Sequence, residues 1–184
     1  KLLPKSRSTA QLLYGMYFVL TMVEVILLLL GGMNLFDSLI HAFGTAGTGG
    51  FSNYADSVAH FDSAYIEWVI TIFMALFGVN FNMFFYVLIK NIRPVLKNEE
   101  LRAYVLVMLT ATALIAINIL PLYSGAGEAI RTAAFQVSSV MTTTGFATTD
   151  FNLWPEFSKT MLVILMFFGA CSGSTGGGIK FARL

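Results

Sequence analysis

Lysine and arginine are absent between residues 8 and 89, and charge of either sign is scarce throughout. Only 11% of the 184 residues are charged, against roughly a quarter in soluble domains. With 57% hydrophobic residues and a mean hydropathy of +0.75, the chain reads as a membrane protein. The net charge of +1 is spread over short flanks and gathers on no face, which excludes a nucleic-acid surface. A single cysteine, Cys171, leaves no internal disulfide to form. The basic start, Lys1, Lys5 and Arg7, leads into an apolar run too long for a signal core and lacks a small-residue cleavage site, so a retained span is expected. No carboxylate pair, metal-ligand spacing or nucleophile–base set appears, so enzyme chemistry has no carrier and no cofactor is expected.

Four apolar segments are present, at residues 10–30, 65–89, 102–122 and 161–170. The first three have about the 20 residues that a helical crossing needs. The fourth stops at the run CSGSTGGG, residues 171–178, roughly half-way across at about 1.5 Å per residue. It is expected to be a broken span, whereas the corresponding stretch FGVNF, residues 77–81, has one glycine and is expected to stay helical. Lys1, Lys5 and Arg7 precede the basic-free stretch, and Lys90, Arg93, Lys97 and Arg102 follow it. By the positive-inside tendency both ends of this unit, including the N-terminus of the segment, lie in the cytoplasm, so each unit makes an even number of crossings. Lys180 and Arg183 close the second unit in the same way, with only Arg131 and Lys159 in its outer part.

Two stretches repeat one pattern between these spans. TAGTGGFS, residues 45–52, aligns without a gap on VMTTTGFA, residues 140–147, with Gly50-Phe51 on Gly145-Phe146. Non-helical backbone at membrane depth is tolerated only where protein buries it or where it lines a water-filled path. Residues 34–47 fit a short re-entrant helix capped by Asn34 or Asp37, about 20 Å long and too short to cross. Its C-terminal dipole end favours a cation. Glycine at 49, 50 and 145 opens backbone angles that turn carbonyls toward an axis, where they can replace part of the hydration shell of a monovalent cation. The fold class expected is therefore all-α membrane protein, built of tandem helix–pore loop–helix repeats, with boundaries at residues 1–95 and 96–184.

The segments HAFGTAGTGGFS (41–52), FQVSSVMTTTGFATTDFNLWP (135–155) and GACSGSTGGGIK (169–180) resemble the Trk/Ktr/HKT superfamily of potassium transporters, and most of all its bacterial TrkH-type membrane subunit. The resemblance covers nearly the whole chain and implies four repeats in one protein, of which this chain is similar to the second and third. It implies an ion selectivity filter at Thr48, Gly49, Gly50, Phe51, Thr143, Thr144, Gly145 and Phe146, with K+ held by the backbone carbonyls of Gly49, Gly50, Thr144 and Gly145. It implies a gating loop formed by Ser172, Gly173, Ser174, Thr175, Gly176, Gly177 and Gly178. It also implies uptake of potassium, as transported substrate, across the bacterial inner membrane, a homodimer in the lipid bilayer, and a cytosolic nucleotide-binding regulatory subunit of the TrkA kind. A solute carrier with glycine-broken helices and a non-conducting structural membrane protein are the alternative readings.

The glycine run also bears on nucleotide binding, since Gly173 and Gly178 have phosphate-loop spacing. The lysine is displaced to Lys180, however, and Phe181 stands where Ser or Thr should be, so the mechanism fails residue by residue. Glu24, inside the first span, is a functional candidate by default, with a hydrogen bond to a neighbouring helix as the favoured role. Asn80, Asn82 and Asn118 are expected to pack between helices. His41 and Gln136 align on the two pore helices and are expected to brace the filter from behind, and His60 to lie outside the membrane. Trp68, Trp154, Tyr54 and Tyr65 suit an outer interfacial belt.

Overall fold

The structure, a computed structural model, describes residues 6–180. Lys1, Lys5, Phe181 and Arg183, used above for orientation and motif matching, lie outside the described residues, as does the side chain of Arg7. Eight α-helices and three short 3-10 turns make up the described fold, which is helical without strands. The helix α1, Ser6–Leu30, ends at the Gly31-Gly32 turn, where Gly32 has φ 94°. Asn34 then caps α2, Leu35–Ala46, by accepting from the Asp37 amide at 2.8 Å, as the sequence leads one to expect. Ser63 caps α3, Ala64–Phe77, in the same manner, and α4, Phe81–Leu88, and the single turn α5, Arg93–Leu96, follow. Asn98 starts α6, Glu99–Ile119, with Glu99 and Glu100 in its first turn where the dipole favours them. The remaining helices are α7, Ala126–Met141, and α8, Glu156–Phe167.

Among the described residues two helices are long and apolar enough to cross a membrane, and a third crossing results if α3 and α4 count as one bent span. Helix α8 has 12 residues, about 18 Å of rise, and ends at Phe168 in extended backbone. The break in the fourth span is thus present, a few residues earlier than residue 170.

The second span departs from expectation. Residues 77–81 do not stay helical: α3 and α4 meet at 95° across residues 78–80. The cause is tertiary. The Gly78 carbonyl accepts from the Cys171 amide at 2.9 Å and the Phe81 amide donates to the Gly173 carbonyl at 3.3 Å, so backbone groups that would continue the helix are taken by the glycine-rich loop of the second half. Asn80 caps the new helix by accepting from the Asn82 amide at 2.9 Å.

Packing follows two centres. One gathers Leu28, Ile70, Met74 and Phe77 with Phe135 and Phe146 from the second half; the other gathers Tyr104, Ile115, Ile119, Met141 and Leu162. Because lipid is as apolar as these side chains, their close van der Waals fit, rather than exclusion from water, holds the helices together. Phe18 and Ile26 on α1, and Leu106, Leu109 and Ile117 on α6, face outward.

Candidate ion-pathway lining and its loop

The two aligned stretches fold alike. Each follows the C-terminus of a short buried helix, α2 or α7, and each is tied back to that helix by one carbonyl. Gly44 O accepts from the amides of Gly49 and Gly50 at 2.8 and 3.3 Å; Ser139 O accepts from those of Thr144 and Gly145 at 2.9 and 3.3 Å. The residues ahead of the glycines take left-handed backbone angles in both copies, φ 48° at Thr48 and 60° at Thr143, and the glycines do so too, φ 62° at Gly50 and 88° at Gly145. With the amides used in this way, no hydrogen bond among the described residues ends on the carbonyls of Thr48, Gly49, Gly50, Thr143, Thr144 or Gly145. Unclaimed carbonyls at the C-terminal ends of two helices are groups that a cation can use. Among the described residues no group of three or more His, Cys, Asp or Glu gathers as an alternative ligand set.

The aligned phenylalanines differ. Phe146 is buried and stacks on His41 with ring centroids 5.6 Å apart, whereas Phe51 is 79% exposed. His41 is fixed from three sides: Nδ1 lies 2.8 Å from the Asp37 carbonyl, Nε2 lies 3.0 Å from Ser52 Oγ, and Phe61 meets the ring edge-on. It packs beside the first aligned stretch, with both ring nitrogens within hydrogen-bond distance of Asp37 and Ser52. Gln136 is buried at the matching position of α7, and its amide nitrogen has no partner among the described residues.

Several organising contacts escaped the sequence reading, which had named Asp37 only as a possible helix cap and Arg131 only for its charge. Asp37 is buried and accepts from Asn34 Nδ2, Asn53 Nδ2 and Tyr54 Oη at 2.8, 2.8 and 2.9 Å, fixing the chain just after the first stretch. Ser139 Oγ donates to the Phe146 carbonyl at 2.6 Å. Arg131 Nε donates to Glu67 Oε2 at 2.7 Å, joining α7 to α3 across the two halves. The ungapped alignment, carried back a few residues, sets Gly44 on Ser139 and could have flagged that pair; the Glu67–Arg131 contact has no local signal at all.

The glycine-rich loop lies against both stretches. A parallel bridge between Phe168 and Ile179 closes it, with the Gly169 amide on the Ile179 carbonyl at 2.8 Å. Lys180 Nζ turns inward to the Gly176 and Gly177 carbonyls, which replaces the anion contact that a phosphate loop would need. The Ser172 amide donates to Glu100 Oε1. Thr48 Oγ1 donates to the Thr175 carbonyl at 3.1 Å, and the Gly177 amide donates to Thr143 Oγ1 at 2.7 Å. A cavity of about 660 Å³ adjoins the loop, lined by Leu13, Tyr14, Tyr17, Phe81 and residues 173–175.

Other expectations fare unevenly. Glu24 is fully buried and neither carboxylate oxygen has a hydrogen-bond partner among the described residues, while the Thr45 hydroxyl donates to the His41 carbonyl at 2.7 Å. Asn118 does bond between helices, accepting from Ser158 Oγ at 2.7 Å, whereas Asn80 is a helix cap at the bend. Trp154 is not part of an outward belt: it is buried, with Nε1 donating to Tyr123 Oη at 3.2 Å. Trp68 and Tyr65 are partly exposed, while Tyr54 is held by Asp37 and stacks on His60.

The sequence matches the family described as TrkH, cation transport protein, over residues 1–184. The chain belongs to the TrkH family. It is 35% identical to the Trk system potassium uptake protein TrkH of Escherichia coli strain K12 over 187 residues, which takes in 100% of this chain and 39% of that protein. The Trk system potassium uptake protein TrkG of the same strain is 33% identical, with 100% and 38% covered. Among solved structures, the crystal structure of the potassium transporter TrkH from Vibrio parahaemolyticus superposes with a TM-score of 0.92 at 33% identity, covering 99% of this chain and 40% of that one. The chain thus spans about two fifths of the length of the TrkH-family relatives it matches. The family is one of membrane transport proteins and not of enzymes.

Proposed function

We propose that this chain forms the second and third of four helix–pore–helix repeats of a potassium uptake protein of the bacterial inner membrane, with repeat boundaries at residues 1–95 and 96–184. The observation that carries the reading is the pair of aligned stretches with one hydrogen-bond pattern, whose carbonyls are unclaimed among the described residues while their amides are tied to Gly44 O and Ser139 O. The carbonyls of Gly49, Gly50, Thr144 and Gly145 replace water around K+, the ends of α2 and α7 add partial negative charge, and the loop of residues 172–178 gates the path beneath. The run of basic residues from Lys90 to Arg102 and the absence of any between residues 8 and 89 support a cytoplasmic face at the α4–α6 junction and a cytoplasmic N-terminus. The names of the relatives, as parts of a Trk system, support a multi-component assembly; in this reading it is a homodimer with a cytosolic nucleotide-binding subunit.

The test is ion preference in the full-length protein. Gly50→Ser and Gly145→Ser are expected to insert normally and to lower the potassium-to-sodium uptake ratio by about tenfold, equivalent to about 1.4 kcal/mol of lost discrimination. Rubidium and sodium fluxes into vesicles measure this, and unchanged ratios in both variants would remove the filter assignment.

A further inference from the structure

Thr48 and Thr143 occupy the same place in the two aligned stretches, 95 positions apart, and both hold the left-handed backbone conformation that a β-branched residue rarely takes. Both point their hydroxyls at the glycine-rich loop. Thr48 Oγ1 donates to the Thr175 carbonyl at 3.1 Å, and Thr143 Oγ1 accepts from the Gly177 amide at 2.7 Å. From these contacts we propose that Thr48 and Thr143 form a two-point latch that holds the loop against the filter, so that the gate opens only when two filter side chains release it. The proposal rests on the reading of residues 172–178 as the gate and adds to it the residues that keep the gate closed.

The chemistry of the two contacts differs in a useful way. Thr48 Oγ1 also lies 2.8 Å from the Gly47 carbonyl, so its one proton has two acceptors, one in its own stretch and one in the loop. When the loop departs, that proton keeps a partner, and the filter side of the latch is left without an orphaned donor. Thr143 supplies an acceptor, so the loop amide of Gly177 is the group that must find water on opening. Water can reach it on one side, since Gly177 is exposed. The start of the loop is held elsewhere, by the Ser172 amide on Glu100 Oε1 and the Phe81 amide on the Gly173 carbonyl. Beyond it, the contact of Thr175 Oγ1 with the Phe77 carbonyl is long at 3.4 Å, and the adjoining cavity beside residues 173–175 gives the chain somewhere to go. Latch and filter are therefore one linked system: a loop that is held biases the threonine geometry, and a threonine geometry fixed by ions biases the loop equally.

Thr48 and Thr143 act here as positioning residues, and a double-mutant cycle with the loop separates that role from any effect on ion coordination. In the full-length protein, Thr48→Val and Thr143→Val are expected to raise maximal rubidium flux in the absence of the regulatory subunit by about fivefold each, the scale of one hydrogen bond lost from the closed state. Thr48→Ser and Thr143→Ser, which keep the oxygen, are expected to show a smaller rise in regulator-independent flux than the corresponding valine variants. Thr48→Ala and Thr143→Ala serve where valine prevents insertion. The same substitutions in a protein lacking residues 173–177 are expected to change the regulator-independent flux no further. If the deletion itself leaves flux and regulation unchanged, the gate reading falls. If the deletion raises flux but the threonine substitutions do nothing, or act equally with and without the loop, the gate stands and the latch is wrong.

Discussion

At Gly50 and Gly145 the backbone turns left-handed in the same way, yet the space around the two α-carbons differs. A β-carbon on Gly50 would run into the Thr144 carbonyl oxygen of the neighbouring strand, whereas one on Gly145 meets nothing within 4 Å among the described residues. Strain from φ costs about 1–2 kcal/mol for an ordinary residue, and asparagine relieves much of it by tolerating the left-handed region. Gly145→Asn is therefore expected to keep the thermal midpoint of the full-length protein in detergent close to that of the parent, while Gly50→Asn lowers it clearly. Equal losses at both sites would mean that strands outside this chain crowd Gly145 as tightly as Thr144 crowds Gly50. The glycines were legible in the sequence because an ungapped pair of Gly-Phe steps is a local signal. The carbonyl anchors at Gly44 and Ser139 share a register in the same alignment, but their role does not show in their residue types, since a main-chain acceptor leaves no mark there.

Among the helices, those that follow from caps and apolar length were read well, and the one that depends on a distant partner was not. Asn34 announces α2 through its side chain, and the glycine run announces the end of α8. Residues 77–81 carry a single glycine and would be helical on propensity alone, but the loop residues Cys171 and Gly173 take Gly78 O and the Phe81 amide from the far half of the chain. Gly78 is also where Tyr104 of α6 comes closest. A β-carbon there would strike Tyr104 Oη and come within 3.0 Å of Thr142 Cγ2, and Tyr104 Oη is held in place by its bond to the Ala75 carbonyl at 3.0 Å. Gly78→Ala is expected to destabilise by about 1–3 kcal/mol, the range for overpacking a core. Tyr104→Phe alone loses about 1 kcal/mol with its hydrogen bond. The double variant is expected to be more stable than the sum of the two, because removing Oη takes away the main clash. Thermal unfolding of the four proteins measures the coupling, and strict additivity would mean that the Tyr104 hydroxyl is not what limits the space at Gly78.

Across the whole molecule the two halves interlock instead of sitting side by side, and this was the least legible level. Helices α1 and α6 are apolar nearly all round, so no stripe in the sequence tells which face meets lipid and which meets protein. Phe135 and Phe146 come from the second half but are buried in the core of the first, and Phe146 finds His41 there. Among the described residues the one ion pair in this seam is Glu67 to Arg131, at 2.7 Å, between the start of α3 and the helix that leads into the second aligned stretch. Their side chains are 12% and 25% exposed, too buried for a screened surface pair and too wet for the full cost of a sealed one. Removing one partner by Glu67→Gln or Arg131→Gln is expected to cost about 2 kcal/mol, the scale of a hydrogen bond to a charged group. The double glutamine variant is expected to recover part of that cost, since it leaves no lone charge. If the pair also sets the tilt of α7, both single variants lower the potassium-to-sodium uptake ratio, and the exchange Glu67→Arg with Arg131→Glu restores it at least in part. Stability loss with an unaltered ratio would make the pair a fastener between the halves that has no hold on the filter.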